Sequence, residues 1–170
     1  MSNTLATMAG CGALLLSLAA SSADNAILRI AKTPPRPTLD AIVLPPGAEI
    51  MLVSGQTPDP LDPKKIDGPD DFGDTRAQTL NIFTKMKALL EKQGYSMRDV
   101  VKLTVFVTGD PRLGGKGDFE GMNEVYAKFF GTADNPNLPA RSALQVAGLG
   151  RAGYKVEIEA IAAKMPASAK

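Results

Sequence analysis

Arg141 follows Leu138-Pro139-Ala140 at the mouth of a strand-like segment. Downstream, Glu157 and Glu159 alternate with Val156, Ile158 and Ala160. In a strand, side chains at i and i+2 share a face, so the two carboxylates point one way and the apolar set the other. A guanidinium grips a planar carboxylate through two parallel hydrogen bonds. The pattern therefore offers an anion clamp beside a carboxylate suited to handling a proton. Two arrangements satisfy it. Either Glu157 and Glu159 lie on a solvated face and Arg141 pairs with one of them, or the carboxylate face is buried and Arg141 serves it.

Composition narrows the chemistry. The chain of 170 residues is long enough for one domain with a real core. Hydrophobic content of 44% and charged content of 22% are those of an ordinary soluble globular protein. There is no His, and the only cysteine is Cys11 in the N-terminal segment. A zinc cluster, a disulfide and a Cys nucleophile in the folded body are thereby excluded, along with the commonest general base. Chemistry must run on Arg, Lys, carboxylates, hydroxyls, backbone groups and water. A net charge of +1 supplies no field to attract nucleic acid or an anionic membrane. With no Trp and three Tyr, a stacking platform for single strands is not expected.

These residues need elements to position them. Residues 1–23 read as a secretory leader or a disordered one: the apolar run Ala13 to Ala20 is too short to span a membrane, and Ser21 and Ala23 are spaced like a cleavage site. A cleaved leader implies a periplasmic or secreted protein, and an uncleaved one a cytoplasmic protein. Residues 24–38, with Pro34, Pro35 and Pro37, read as a linker or edge segment. The domain proper is expected at 39–164. Leu39 to Leu44 and Glu49 to Ser54 read as a hairpin turned by Pro45-Pro46-Gly47. Gly55 allows either a close backbone approach or simply a bend. A helix is predicted from Asp74 or Thr75 to about Gln93, with Gly94 as its stop and Ile82, Phe83, Met86, Leu89 and Leu90 as its core stripe.

Asp99 to Val107 alternates as a strand, with Val101, Leu103, Val105 and Val107 on one face and Val100, Lys102, Thr104 and Phe106 on the other. Gly109 to Gly117 lacks phosphate-loop spacing and reads as a flexible insertion. A second helix begins at Asp118 and carries Phe119, Met122, Tyr126, Phe129 and Phe130. Asn123 shares a side with Phe119 and Tyr126, which draws it inward. Arg141 to Val146 and Tyr154 to Ala163 are the last strands, and 165–170 is a frayed tail. The fold class is therefore α/β (α+β), one domain with a mixed sheet and two helices on one face. The other face carries Val100, Phe106 and Ile161 and must be buried, most simply in a homo-oligomer that packs sheets together.

In order along the chain, Ser54-Gly55-Gln56, the helix around Asn81 to Gly94, Asp99 to Val107, Met122-Asn123-Glu124-Val125-Tyr126, Pro139-Ala140-Arg141-Ser142 and Val156 to Ala162 together resemble the reactive-intermediate deaminase family (RidA, YjgF-like). The resemblance spans most of residues 39–164. It implies a chorismate-mutase-like fold and a homotrimer with clefts between subunits. It further implies hydrolysis of 2-imino acids to 2-oxo acids and ammonia, with no metal and no organic cofactor. By the resemblance, Arg141 holds the substrate carboxylate and Glu157 orients the water. Ser54, Gly55, Asn123 and the backbone of Ala143 complete the pocket. The chain departs from the pattern in two places. No Tyr precedes Tyr95, whereas many deaminases carry a pocket tyrosine near the position of Ala41, and the Gly109 to Gly117 loop is long. The alternative of the same fold is a non-enzymatic trimer that binds small carboxylates or, chaperone-like, client proteins. A ribonuclease activity, sometimes attached to the family, is disfavoured by the lack of His and of a basic surface.

Overall fold

The computed structural model describes residues 26–167. The expected leader at residues 1–23 lies outside the described residues. Alternation along the longest central strand divides everything else into two layers. The elements run β1 (Leu28–Ala31), β2 (Leu39–Val43), β3 (Glu49–Gln56), α1 (Thr75–Lys92), β4 (Val100–Thr108), α2 (Phe119–Tyr126), β5 (Ala140–Val146) and β6 (Val156–Lys164). The strands form one mixed sheet in the order β1-β2-β5-β4-β6-β3. β4 pairs parallel with β5 and antiparallel with β6. Leu103, Val105 and Val107 of β4 point to the helices and pack with Ile82, Phe83, Met86 and Leu90 of α1 and Met122 and Val125 of α2. Val156, Ile158, Ala160 and Ala162 of β6 extend that core. Among the described residues no helix covers the opposite face, where Ile50, Leu52 and Leu144 are exposed. Among the described residues no helix is long and apolar enough to cross a membrane.

Local chemistry explains the helices. The Asp74 carboxylate caps α1 by accepting from Ala77 N at 2.8 Å. At the other end Gly94 takes φ +74°, Gly94 N donates to Glu91 O at 3.0 Å and Tyr95 N donates to Leu90 O at 2.9 Å. That double bond pattern requires a left-handed residue, which glycine adopts without a Cβ penalty. Arg76 of α1 grips Glu124 of α2 through two bonds of 2.7 and 2.8 Å, which fixes the helices to each other. Gln78 is wholly buried and fully used: its amide donates to Gly73 O and Gly153 O and accepts from Lys155 N and Val156 N. It ties α1 to the segment that enters β6.

Four expectations are corrected. First, β2 and β3 are not a hairpin. β3 pairs antiparallel with β6, and β2 pairs with β1 and meets β5 in parallel at Leu39↔Ala140. These pairings set β2 and β3 in the same direction at separate places in the sheet. Pro45-Pro46-Gly47 does turn, with Ala48 N donating to Pro45 O at 3.2 Å, but two prolines lack the N–H groups that a hairpin ladder would use. Second, of the two readings of residues 24–38, the linker gives way to the edge segment: it contains the edge strand β1, which Arg29 fastens by donating to Leu138 O at 2.8 Å and Arg98 O at 3.0 Å. Third, a register shift between Val100 and Lys102 reverses the parity at the start of β4. Val100 joins the core, while Val101 lines a small hollow with Ile42, Leu44 and Ile161. Fourth, the Gly109 to Gly117 insertion is folded. Asp110 caps a short turn of helix at Pro111–Leu113, and an Asp110↔Lys116 bridge closes the loop.

Candidate active site

The parallel register Leu103↔Arg141 turns the Arg141 side chain to the helix side of the sheet. There its Nη2 donates to Asn123 Oδ1 at 2.7 Å, and its Nη1 lies 3.7 Å from Met122 Sδ. The guanidinium carbon sits 4.3 Å from the centroid of the Tyr126 ring. Among the described residues no carboxylate pairs with it. Burial lowers its pKa from the usual arginine value, because desolvation disfavours charge, but a guanidinium stays protonated at any pH where the protein folds. A half-buried cation with neutral partners can take an anion. Ala143, two residues along β5, faces the same way and is exposed. Beyond Ala140 the outer edge of β5 has no partner strand among the described residues, so its backbone groups are available.

Glu157 stands on the other face. The pairings Phe106↔Glu157 and Thr104↔Glu159 put both carboxylates on the face without helices. The expected pairing of Arg141 with one of them does not form, because β4 separates the strands and the two groups project from opposite sides of the sheet. Glu157 instead packs over Gly55. A Cβ built on Gly55 would strike Glu157 Oε1 and sit 3.0 Å from its Cδ. The close approach that Gly55 permits is therefore that of a carboxylate from the neighbouring strand. The pairing jumps from Val53↔Ala160 to Gln56↔Ile158, so Ser54 and Gly55 form a bulge. Ser54 opens into a concavity of about 360 Å³ that it shares with Leu52, Lys102, Thr104, Glu159 and Ile161.

The predicted site residues thus fall into two groups: Arg141, Asn123 and Ala143 on one side, and Glu157, Gly55 and Ser54 on the other. The sequence marks Tyr126 only as a core residue, although its i, i+3 spacing from Asn123 on one helix face is the available signal. Among the described residues no group of His, Cys, Asp and Glu is arranged to hold a metal ion.

The family model described as Endoribonuclease L-PSP, which covers the RutC, YjgF and RidA proteins, matches residues 41–164. The chain belongs to this family. A RutC family protein of Pyrococcus horikoshii is 41% identical over 118 residues, which cover 69% of this chain and 82% of that protein. The 2-iminobutanoate/2-iminopropanoate deaminase of Escherichia coli K12 is 37% identical over 115 residues, covering 68% of this chain and 80% of the deaminase. A solved structure from Thermotoga maritima aligns with a TM-score of 0.51 at 35% identity, over 80% of this chain and 92% of its own. A solved Rid family protein of Yersinia pestis has a TM-score of 0.56 at 21% identity, covers 74% of this chain and 85% of its own, and shares the fold. The RutC/YjgF/RidA membership therefore agrees with the sequence resemblance and with the α+β architecture.

Proposed function

We propose that the protein is a RidA-type deaminase that hydrolyses reactive 2-imino acids to 2-oxo acids and ammonia in clefts between subunits of a homotrimer. One observation carries the reading: Arg141 is a half-buried guanidinium held by Asn123 and Tyr126 with no carboxylate partner among the described residues. The imino acid supplies the missing carboxylate. Bidentate binding would fix the plane of the substrate and with it the face of the C=N bond open to water. Glu157 would accept a proton from water as the oxygen adds to the imine carbon. The nitrogen takes up a proton, the C–N bond breaks, ammonia leaves, and loss of the hydroxyl proton completes the 2-oxo acid. The reaction consumes only water. Ser54, Gly55 and the backbone at Ala143 would line the cleft.

Because Arg141 and Glu157 project from opposite faces of one sheet, a site that uses both draws them from two copies. The exposed Ile50, Leu52 and Leu144 on the Glu157 side are the surface such packing would cover. The relative named as a 2-iminobutanoate/2-iminopropanoate deaminase supports the reaction class. A second reading rests on Ala41, which stands on β2 where many deaminases carry a tyrosine. In it the trimer binds small carboxylates without turning them over. If residues 1–23 are cleaved, the protein acts outside the cytoplasm.

The test is imine hydrolysis by the purified protein, with an amino-acid oxidase generating the imine and semicarbazide trapping it. Competition with the trap by the parent but not by Arg141→Ala is the expected result. No competition across small and bulky imino acids, together with thermal stabilisation by 2-oxo acids, would give the binding reading the lead.

A further inference from the structure

Arg141 is aimed by an aromatic residue that reaches back to the N-terminal strands. The Tyr126 ring lies 4.3 Å under the guanidinium carbon and stacks on Phe130, with centroids 4.9 Å apart. Tyr126 is 2% exposed, so the ring has no room to tilt. Its hydroxyl donates to Pro37 O at 2.7 Å. Burial pushes that hydroxyl up to about 12, which keeps it a neutral donor. Pro37 precedes Leu39, whose N–H donates to Pro139 O at 3.1 Å, while Arg29 donates to Leu138 O at 2.8 Å. Residues 138 and 139 lead directly into Arg141. Residues 28–39 therefore hold both the ring beneath the guanidinium and the backbone that carries it.

We infer that Tyr126 is a positioning residue for Arg141, its ring fixing the guanidinium plane and its hydroxyl bond to Pro37 making the N-terminal strands part of the anion clamp. A guanidinium laid on a ring keeps its N–H edge free, and a planar carboxylate approaches that edge in the same plane. This rests on the reading of Arg141 as a carboxylate anchor.

The test uses the full chain with Tyr126→Met, which fills the site without a ring, and Tyr126→Phe, which keeps the ring and loses the hydroxyl. Val125→Ala on the same helix controls for core damage. Three quantities are measured: 2-oxobutanoate affinity by calorimetry, KM and kcat for imine hydrolysis, and the Arg141 Nε–Hε resonance by NMR. Tyr126→Met is expected to weaken 2-oxobutanoate binding and raise KM by roughly fivefold to thirtyfold, with kcat within about twofold. It also shifts the Arg141 resonance by removing the ring current. Tyr126→Phe keeps most of that ring-current shift and raises KM by about twofold to fivefold. Val125→Ala lowers Tm without moving affinity or the resonance.

If Tyr126→Met lowers Tm but leaves the affinity and the Arg141 resonance at parent values, Tyr126 is packing alone and the inference is overturned. If Tyr126→Met does not fold, Tyr126→Phe decides: affinity and resonance both equal to the parent overturn the part played by Pro37. A parent that binds 2-oxobutanoate through Arg141 but hydrolyses no imine sinks the deaminase reading and leaves the Tyr126 assignment to be judged on binding and NMR.

Discussion

The two faces of the sheet handle charge in opposite ways. On the helix side, Arg141 is packed among Met122, Asn123 and Tyr126 and is oriented before any ligand arrives. On the other side, Glu157 and Glu159 share a face with the exposed Leu52 and Ile50, and Gly55 makes room for the nearer carboxylate. The first face is finished within one chain. Under the proposed trimer the second is half of a cleft, because a contiguous apolar surface next to charge is what subunit packing would cover. The difference teaches that, on the deaminase reading, a protomer carries its binding group ready-made and its reacting group unfinished, and that assembly would join them.

The strongest way to break that comparison is to disable the faces separately and then mix them. Glu157→Gln should lower kcat by about 10² to 10⁴-fold, the range for loss of a general base, with little change in Tm. Arg141→Ala should abolish saturation by substrate. When the two inactive variants are co-expressed, sites that take Arg141 from one copy and Glu157 from another should regain about a quarter of the parent activity, as random mixing requires. No recovery would place both residues in one chain's site and sink the two-copy arrangement.

Next in size is Leu52→Asp. Leu52 is 76% exposed, so the substitution costs the isolated fold about 0.5 kcal/mol or less. A buried charge at a subunit contact should nevertheless turn a trimer into monomers by light scattering and reduce hydrolysis at least about tenfold. Unchanged mass with unchanged activity would show that this face is not the contact. Gly55→Ala follows. Its Cβ must displace the Glu157 carboxylate, so kcat should fall by about tenfold to a hundredfold while KM, set on the other face, stays close to the parent's. A rise in KM alone would mean that Gly55 touches the substrate and not Glu157.

The smallest effect concerns neither face and calibrates both. Arg112 holds the Asp110 carboxyl down to about 2, chiefly through their hydrogen bonds. A depressed acid contributes stability above its unfolded pKa and loses it as pH falls through the folded one. Tm measured from pH 5 to pH 2 should therefore fall less steeply for Asp110→Asn than for the parent, the gap between the two curves closing between about pH 4 and pH 2. Parallel curves would show that the Gly109 to Gly117 turn does not depend on this pair.

How much of this was legible in the sequence follows from how far each signal reaches. The alternation in Leu103, Val105 and Val107 and the stripe of Ile82, Phe83, Met86 and Leu90 announce themselves within a few residues, and they locate β4 and α1. Asp74 and Gly94 mark the helix ends for equally local reasons. The bulges at Val100–Lys102 and Ser54–Gly55 are single-residue register shifts, which leave no mark in composition. Plain alternation sends Val100 to the wrong face on that account. The partner of β2 depends on distant pairing, and Pro45-Pro46-Gly47 specifies a turn without saying what it joins. Within the site, the shared face of Glu157 and Glu159 was visible because both lie on one strand. Their relation to Arg141 was not, because it depends on registers across β4. Tyr126 was seen as core, which it is; its contact with Arg141 belongs to tertiary packing.

Gln78 has a further consequence. Its single amide holds Gly73 on one side and Gly153, Lys155 and Val156 on the other, so β6 is moored immediately after the loop of residues 147–152 ends. Changes of length in that loop are absorbed before they can reach Glu157. The loop is in effect an exchangeable cassette: its length can change while the strand that carries Glu157 stays in register.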